Sequence, residues 1–243
     1  MTKPLVSVVT VCRNCLDDLL KTAASVHAQS ISDYEFVVVD GASSDATPLR
    51  LADGSVGADR YVSESDNGIF DAMNKGARLA SGEWVIYMNA GDTFASPDTL
   101  AVIAPFLRDN TDDIVYGDAL LDRGGELKRK CGMTPANRHR MYFHHQAAFV
   151  RRNLQLDIPY RTDTGLSGDF SFFKEAWIAG RRFRHVDVDV CVYDCNGISS
   201  RNRLRVIRDN IAVVRRFDSL PDMMRFLPRL YFVVVWDKLR HLL

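Results

Sequence analysis

The chain has 243 residues, 47% of them apolar, which suffices for one large α/β domain or two small ones. Its 31 basic and 31 acidic residues cancel overall, yet ten Arg/Lys face four Asp from Ser199 onward, leaving 21 basic and 27 acidic residues before that point. The absence of a signal-peptide pattern and of an apolar run of the ~18–20 residues that cross a bilayer, with an odd number of five cysteines, argues against an exported, membrane-spanning or disulfide-framed protein and for the cytoplasm.

Leu5 to Val11 is β-branched and apolar and predicts a buried strand; Leu16, Leu19, Leu20, Ala23, Ala24 and Val26 follow at helical spacing. Glu35 to Val39 predicts a second strand, ending in the turn-rich loop Asp40 to Asp45, where Asp45 is either a helix cap or a ligand contact. Tyr61 to Ser63 is a short third strand. Ile69 to Ala80 is a helix with Ile69, Met73, Ala77 and Ala80 inward, Glu83 to Met88 a fourth strand, and Ile114 to Tyr116 a further one. Strands alternating with helices predict a doubly wound, mainly parallel α/β sheet of Rossmann-like type.

Beyond residue 120 the pattern changes. Leu120 to Pro135 is polar and basic, a loop or hairpin, and Tyr142 to Val150 is a strand-like run containing His144 and His145, which as strand neighbours would point to opposite faces. Gly168 to Ala179 predicts a helix with Asp169 at its start, and Phe183 to Tyr193 a half-exposed strand. Met223 to Leu243 mixes aromatic and branched residues with Arg225, Arg229, Lys238 and Arg240, with Pro228 breaking or starting a helix. Such a helix lies on a membrane surface or packs against the domain or another subunit.

Ligands of doubly wound sheets bind outside the carboxyl ends of the strands. Thr10, Arg13 and Asn14 follow the first strand, Asp40 the second, Asp66 and Asn67 the third, and Asn89 and Asp92 the fourth, so one crevice collects carboxylates and amides. Cys12 and Cys15 also form a C-x-x-C at a strand-to-helix junction. That spacing permits a thiol oxidoreductase or, with Cys191 and Cys195, a four-thiolate zinc site.

The ordered set VSVVTVCRN, SVHAQS, YEFVVVDGASSDAT and SESDNGIFDAMNKGARLASGEWVIYMNAGDTF, followed by HHQAAFVRR, SGDFSFF and YDCNGISS, resembles the family-2 glycosyltransferases of the GT-A fold over roughly residues 4–200. It is similar in particular to the bacterial branch that builds exopolysaccharide, capsule and O-antigen, including the colanic acid transferases. The resemblance implies a glycosyltransferase domain over residues 1–200, with a nucleotide-sugar half to about 118 and an acceptor half to about 200, and a basic helical tail over 201–243.

What the resemblance implies for single residues follows the chemistry. Asp40 would accept a hydrogen bond from the nucleotide base, often uracil, flanked by Thr10 and Arg13. Asp66, Asn74 and Lys75 would meet the ribose, sugar or diphosphate, Lys75 as a point charge. Asp92 matches the last acid of the family's D-x-D-like motif and would hold Mg²⁺ or Mn²⁺ against the diphosphate. Asn89 and Gly91 stand where two acids are frequent, so the substrate would supply much of that metal's shell, with Asn89 near the sugar or diphosphate. Asp169 matches the catalytic base of an inverting transfer, and His145 a contact to diphosphate or acceptor. Arg201, Arg203 and Arg205 would close over the diphosphate or meet the membrane. The partners implied are a nucleotide-sugar donor and a saccharide acceptor on a polyprenyl diphosphate lipid, with the tail on the inner face of the cytoplasmic membrane and no nucleic acid. A non-catalytic nucleotide-sugar-binding partner is the alternative in the same fold.

Overall fold

The computed structural model describes residues 3–108, 111–195 and 202–240, with side chains described as far as Trp236. Its first half alternates strand and helix: β1 (Val6–Cys12), α1 (Leu16–His27), β2 (Tyr34–Asp40), α2 (Thr47–Ala52), β3 (Arg60–Ser63), α3 (Ile69–Leu79) and β4 (Trp84–Tyr87). Then come β5 (Thr93–Phe94), α4 (Thr99–Arg108), β6 (Ile114–Asp122), β7 (Leu127–Lys130), β8 (Ala148–Arg151), α5 (Arg152–Asp157), α6 (Gly168–Ile178) and β9 (Phe183–Asp194). Two helices close the described chain, α7 (Arg203–Phe217) and α8 (Leu220–Arg240).

The strands join one sheet in the order β3-β2-β1-β4-β8-β6-β9-β5, with β7 hydrogen-bonded to β6. Over β3, β2, β1 and β4 the pairing is parallel, as strand–helix alternation requires. β8 then inserts antiparallel between β4 and β6, and only the β6–β9 pair returns to parallel. The sheet is therefore mixed in its second half. β6 carries it straight through residue 118, and the predicted basic hairpin is β6–β7, in register from Ala119 opposite Lys130 to Asp122 opposite Leu127.

Both faces of the parallel half are covered, which is why its strands are continuous apolar runs rather than alternating ones. Val6, Val8, Phe36, Val38, Trp84 and Ile86 pack beneath α1 and α4, while Val9, Val11, Val37, Val39, Val85 and Tyr87 pack against α3 and the aromatic residues of α6. Tyr142 to Val150 departs from the expected strand: only β8 is extended, and His145–Ala147 forms a 3₁₀ turn before it. The imidazoles therefore escape the strict alternation of a strand.

The terminal helices are built into the domain. Ile211 and Val214 of α7 pack on Phe226 and Leu230 of α8. Lys174 of α6, wholly buried, pairs at 2.7 Å with Asp218 in the α7–α8 turn. α7 also grips the loop leading into α6: Asp209 accepts a hydrogen bond from the Leu166 amide at 2.7 Å, Ser167 donates to the Val206 carbonyl at 3.3 Å, and Arg216 makes two bonds to Asp163. Pro228 does not interrupt α8. The tail helix packs on the rest of the chain along one side, with Phe226 and Leu230 buried, while Phe232, Val235 and Trp236 on the same helix are exposed.

Candidate active site

Two groups of polar side chains gather at the carboxyl ends of the strands, and they differ in what their hydrogen bonds are used for. The first surrounds β1, β2 and β3. Thr10 lies inside β1 rather than in the following loop; it is fully buried and donates to the Met88 carbonyl at 2.7 Å. Its hydroxyl ties β1 to the end of β4. Asp40, also fully buried, accepts from the Ser43 amide and hydroxyl and from the Ser63 hydroxyl. Asn74 uses both ends of its amide on Tyr160, donating to its carbonyl and accepting from its amide, each at 2.8 Å. Lys75 donates to the Ser65 carbonyl at 2.6 Å and pairs with Glu64 at 2.8 Å. Thr10, Asn74 and Lys75 are thus each hydrogen-bonded within the chain. Asp45 caps two helices, accepting from the Leu16 and Thr47 amides.

Arg13 and Asp66 remain beside the crevice. They converge over Gly41, where an added Cβ would collide with the Asp66 carboxylate and touch the Arg13 stem. Asp66 is half-buried and accepts from the Gly68 amide at 2.8 Å.

The second group joins β4, the 3₁₀ turn and α6. α1 shapes the loop after β4: Thr22 donates to the Asp92 carbonyl at 2.8 Å and accepts from the Gly91 amide at 3.0 Å. Asp92, only 4% exposed, accepts from the Asp194 amide at 3.0 Å and from Gln146 Nε2 at 3.1 Å. Burial raises its pKa to about 6, against the opposing pull of those two donors and of His145. The next residue along the turn reaches the other acid: His145 Nδ1 stands 3.3 Å from Asp169 Oδ2, and its Nε2 is 3.2 Å from Asn89 Nδ2. That pattern puts the proton on Nδ1 and leaves Nε2 as the acceptor. Asp169 opens α6, whose first turn comes close because residue 168 is glycine; a Cβ there would run into the Phe70 ring. Asp169 and His145 are 19% and 16% exposed, so the pair is half-sheltered and reachable.

The dipeptide His145-Gln146 therefore touches both acids, one through each side chain. Sequence reading missed Gln146; its signal was its position between an imidazole and a buried strand. Beside it, Lys130 Nζ donates to His144 Nε2 at 3.0 Å, and burial with Lys130 nearby drives the His144 pKa down to about 3. Arg203 opens α7 and Arg205 is exposed on it, whereas Arg201 lies outside the described residues.

The residues near Asp92 fit an oxygen-loving divalent ion. Asn89 Oδ1 and Gln146 Oε1 are buried acceptors without a hydrogen-bond partner, on the two side chains that flank the acid group. Such orphaned oxygens are costly unless something with positive charge or a proton meets them. A preassembled cage of three or more His, Cys, Asp or Glu side chains does not occur among the described residues. The four thiols of the zinc reading are not gathered into one group among the described residues. All five cysteines are free, and burial pushes the Cys12 and Cys15 thiols up, whereas a redox nucleophile is favoured by the opposite shift.

Comparison with known proteins identifies the family. The sequence profile described as Glycosyl transferase family 2 matches residues 7–177. A PGL/p-HBAD biosynthesis glycosyltransferase of Mycobacterium tuberculosis is 34% identical over 180 residues, which are 70% of this chain and 65% of that one, so the chain spans just under two thirds of that relative's length. A second, uncharacterised glycosyltransferase of the same species is 30% identical over 232 residues, 93% of this chain and 86% of its own. Among solved structures, Staphylococcus aureus TarS 1–349 with UDP-GlcNAc superposes with a TM-score of 0.71 at 18% identity, over 92% of this chain and 71% of that one. A mannosyltransferase of Pyrobaculum calidifontis, solved with GDP-Man and Mn²⁺, gives 0.68 at 22% identity, over 96% and 70%.

Proposed function

This chain belongs to glycosyltransferase family 2, and from that premise we propose that it is an inverting enzyme moving a sugar from a nucleoside-diphosphate sugar, a UDP-sugar, to a hydroxyl of a saccharide acceptor. The observation that carries the reading is the joining of Asp169 and Asp92 through consecutive residues, His145 and Gln146. One carboxylate is reachable and held by an imidazole; the other is buried beside unpartnered oxygens.

Transfer with inversion needs the acceptor oxygen to attack the anomeric carbon on the face opposite the departing diphosphate. The new C–O bond forms as the bond from that carbon to the phosphate oxygen breaks, and the hydroxyl proton passes to Asp169. His145, proton on Nδ1, holds the Asp169 carboxylate in one orientation, and Asn89 fixes the ring by donating to Nε2. Asp92, with the Asn89 and Gln146 oxygens nearby, would hold Mg²⁺ or Mn²⁺, which supplies neutralisation of the charge on the leaving diphosphate when bound. Arg13 and Asp66 take the nucleoside end, with Asp40 ordering their loop through Ser43 and Ser63.

The acceptor in this reading is a growing exopolysaccharide, capsule or O-antigen unit on a polyprenyl diphosphate lipid. Its support is α8, where Phe232, Val233, Val235 and Trp236 are exposed alongside Arg225 and Arg229. That face suits peripheral attachment to an anionic membrane on its cytoplasmic side. No described helix is long and apolar enough to cross a membrane.

Calorimetric screening of UDP, GDP and their sugars against the full chain, followed by turnover assays, tests the reading. Asp169→Asn should lower kcat by about 10²–10⁴ while leaving donor binding intact; turnover near the parent's level would remove Asp169 from the role of base.

A further inference from the structure

We propose that Lys174 and Asp209 are positioning residues for Asp169, so that the terminal helices α7 and α8 serve the reacting centre and not only the packing of the domain. The inference rests on reading Asp169 as the base of a glycosyl transfer, and it concerns side chains that this reading leaves without a task.

Asp169 meets His145 at 3.3 Å, and both side chains are partly open to solvent. A single contact in competition with water does not fix a helix, so the place of Asp169 depends on how α6 is held elsewhere. Lys174 lies five residues further along α6, roughly 140° around the helix from Asp169, and grips it from another side. Its side chain is wholly buried, and the three N–H donors of its ammonium go to three different groups. These are the Asn137 side-chain oxygen at 3.1 Å, the Arg138 carbonyl at 2.9 Å and the Asp218 carboxylate at 2.7 Å. The rings of Phe170 on α6 and Phe226 on α8 lie 5.5 and 5.7 Å from the same nitrogen.

The acceptors are the elements that matter to the base. Asn137 and Arg138 belong to the segment that runs into His144 and His145, and the Met133 amide closes that segment into a loop by donating to the Tyr142 carbonyl at 2.8 Å. Lys174 therefore ties the helix of Asp169 to the segment of His145, the two side chains that meet. Asp218, in the α7–α8 turn, adds the tail to the same junction. Asp209 of α7 holds the other end. It accepts from the Leu166 amide at 2.7 Å, three residues before Asp169, and Gly165, at a φ of 60°, leaves its carboxylate the space that a Cβ would fill. The tail thus grips α6 on both sides of Asp169.

Stability alone is a poor reason for this arrangement. Desolvation of an ammonium and a carboxylate offsets much of their attraction, and apolar side chains of similar volume hold a core as well or better. Apolar burial is non-directional, however, and leaves a helix free to turn or slide by small amounts. Three directional bonds to three acceptors fix α6 both in rotation and along its axis. Rotation is the motion that would carry Asp169 away from His145 soonest, since a side chain at the rim of a helix moves further than its axis does.

The test uses the full chain, turnover of nucleotide sugars, donor binding by calorimetry and the ring ¹⁵N shifts of His145. In Lys174→Met/Asp218→Leu apolar groups replace the pair, so the denaturant midpoint should equal or exceed the parent's. Its kcat should nevertheless fall about a hundredfold, as it does when a reacting group is misplaced by about 1 Å, while donor affinity changes less than about twofold. The His145 shifts should move from a fixed Nδ1–H form toward those of an unconstrained imidazole. Asp209→Ala, which removes the acceptor of one amide, should lower kcat about tenfold, the worth of one hydrogen bond. Asp209→Asn, which still accepts from Leu166, should restore most of that loss. Parental kcat in the folded double variant overturns the role of Lys174, and parental kcat in Asp209→Ala overturns that of Asp209; an equal loss of donor affinity overturns both. Should the double variant not fold, Asp209→Ala and its rescue decide. A parent that turns over no nucleotide sugar defeats the glycosyltransferase reading instead, and the His145 shifts then decide by themselves whether the tail sets the position of α6.

Discussion

The crevice at the strand ends divides into two regions of similar composition and different state. Around β1 to β3, Thr10, Asp40 and Asn74 are buried and hydrogen-bonded within the chain. Around β4, the 3₁₀ turn and α6, the polar groups are coupled to one another but not exhausted: Asn89 Oδ1 and Gln146 Oε1 lack partners, and Asp169 is accessible. A polar residue at a strand end can hold the loop or meet a ligand, and what decides is whether the fold supplies it a partner first. In the function proposed here the first region serves as scaffold with Arg13 and Asp66 at its rim, and the second as the reacting centre.

Substitutions should separate the two regions by which quantity they change. In the second, Asp92→Ala should remove metal-dependent turnover, several kcal/mol of transition-state stabilisation or on the order of a thousandfold in rate; full activity of the parent in excess chelator would sink the metal assignment. His145→Leu should lower kcat by about a hundredfold through misplacement of Asp169, with donor KM little changed. His145→Gln, which can still donate and accept, should recover part of that loss. An equal rise in donor KM would make His145 a substrate contact instead.

In the first region the effect should fall on stability. Asn74→Ala leaves the Tyr160 amide and carbonyl unpaired in the interior and should cost about 2–4 kcal/mol in denaturant unfolding, with the kcat of the folded fraction unchanged. A large kcat loss at unchanged stability would return Asn74 to the ligand. The smallest effect is a pH dependence. Asp92 titrates at about 6 in the fold against an ordinary 3.8, so the native state binds more protons than the unfolded chain between those values. Its contribution to stability therefore falls as pH rises through that window. Without metal, Asp92→Asn should gain stability relative to the parent from about pH 4 to about pH 6; a constant difference would show that burial does not govern this carboxylate.

The strands and helices of the first half were legible because each is a long apolar pattern with a clear period. β1, β2, α1, α3 and β4 fall within a residue or two of their predicted spans. Asp92 and Asp169 were legible as candidates because short motifs placed them at a strand end and a helix start. The segment around His144 and His145 was not, since an apolar run of nine residues carries no mark of where a 3₁₀ turn gives way to β8. Gln146 stayed hidden for a further reason: its partner is 54 positions away.

By itself, the sequence determined the family, the α/β class and the parallel half of the sheet, because these depend on local periodicity and on motifs read in order. Tertiary structure alone decided which polar side chain meets which partner. Thr10 found the Met88 carbonyl, Asn74 found Tyr160, and Lys75 found Glu64, whereas His145 found Asp169 and Gln146 found Asp92. It also decided the fate of the tail, which clasps the loop before Asp169 through Asp209 and Arg216 and holds α6 itself through Asp218 and Lys174. Most of these pairings join residues far apart in the chain. Residue type sets which groups require a partner, and only the fold brings one within hydrogen-bond reach.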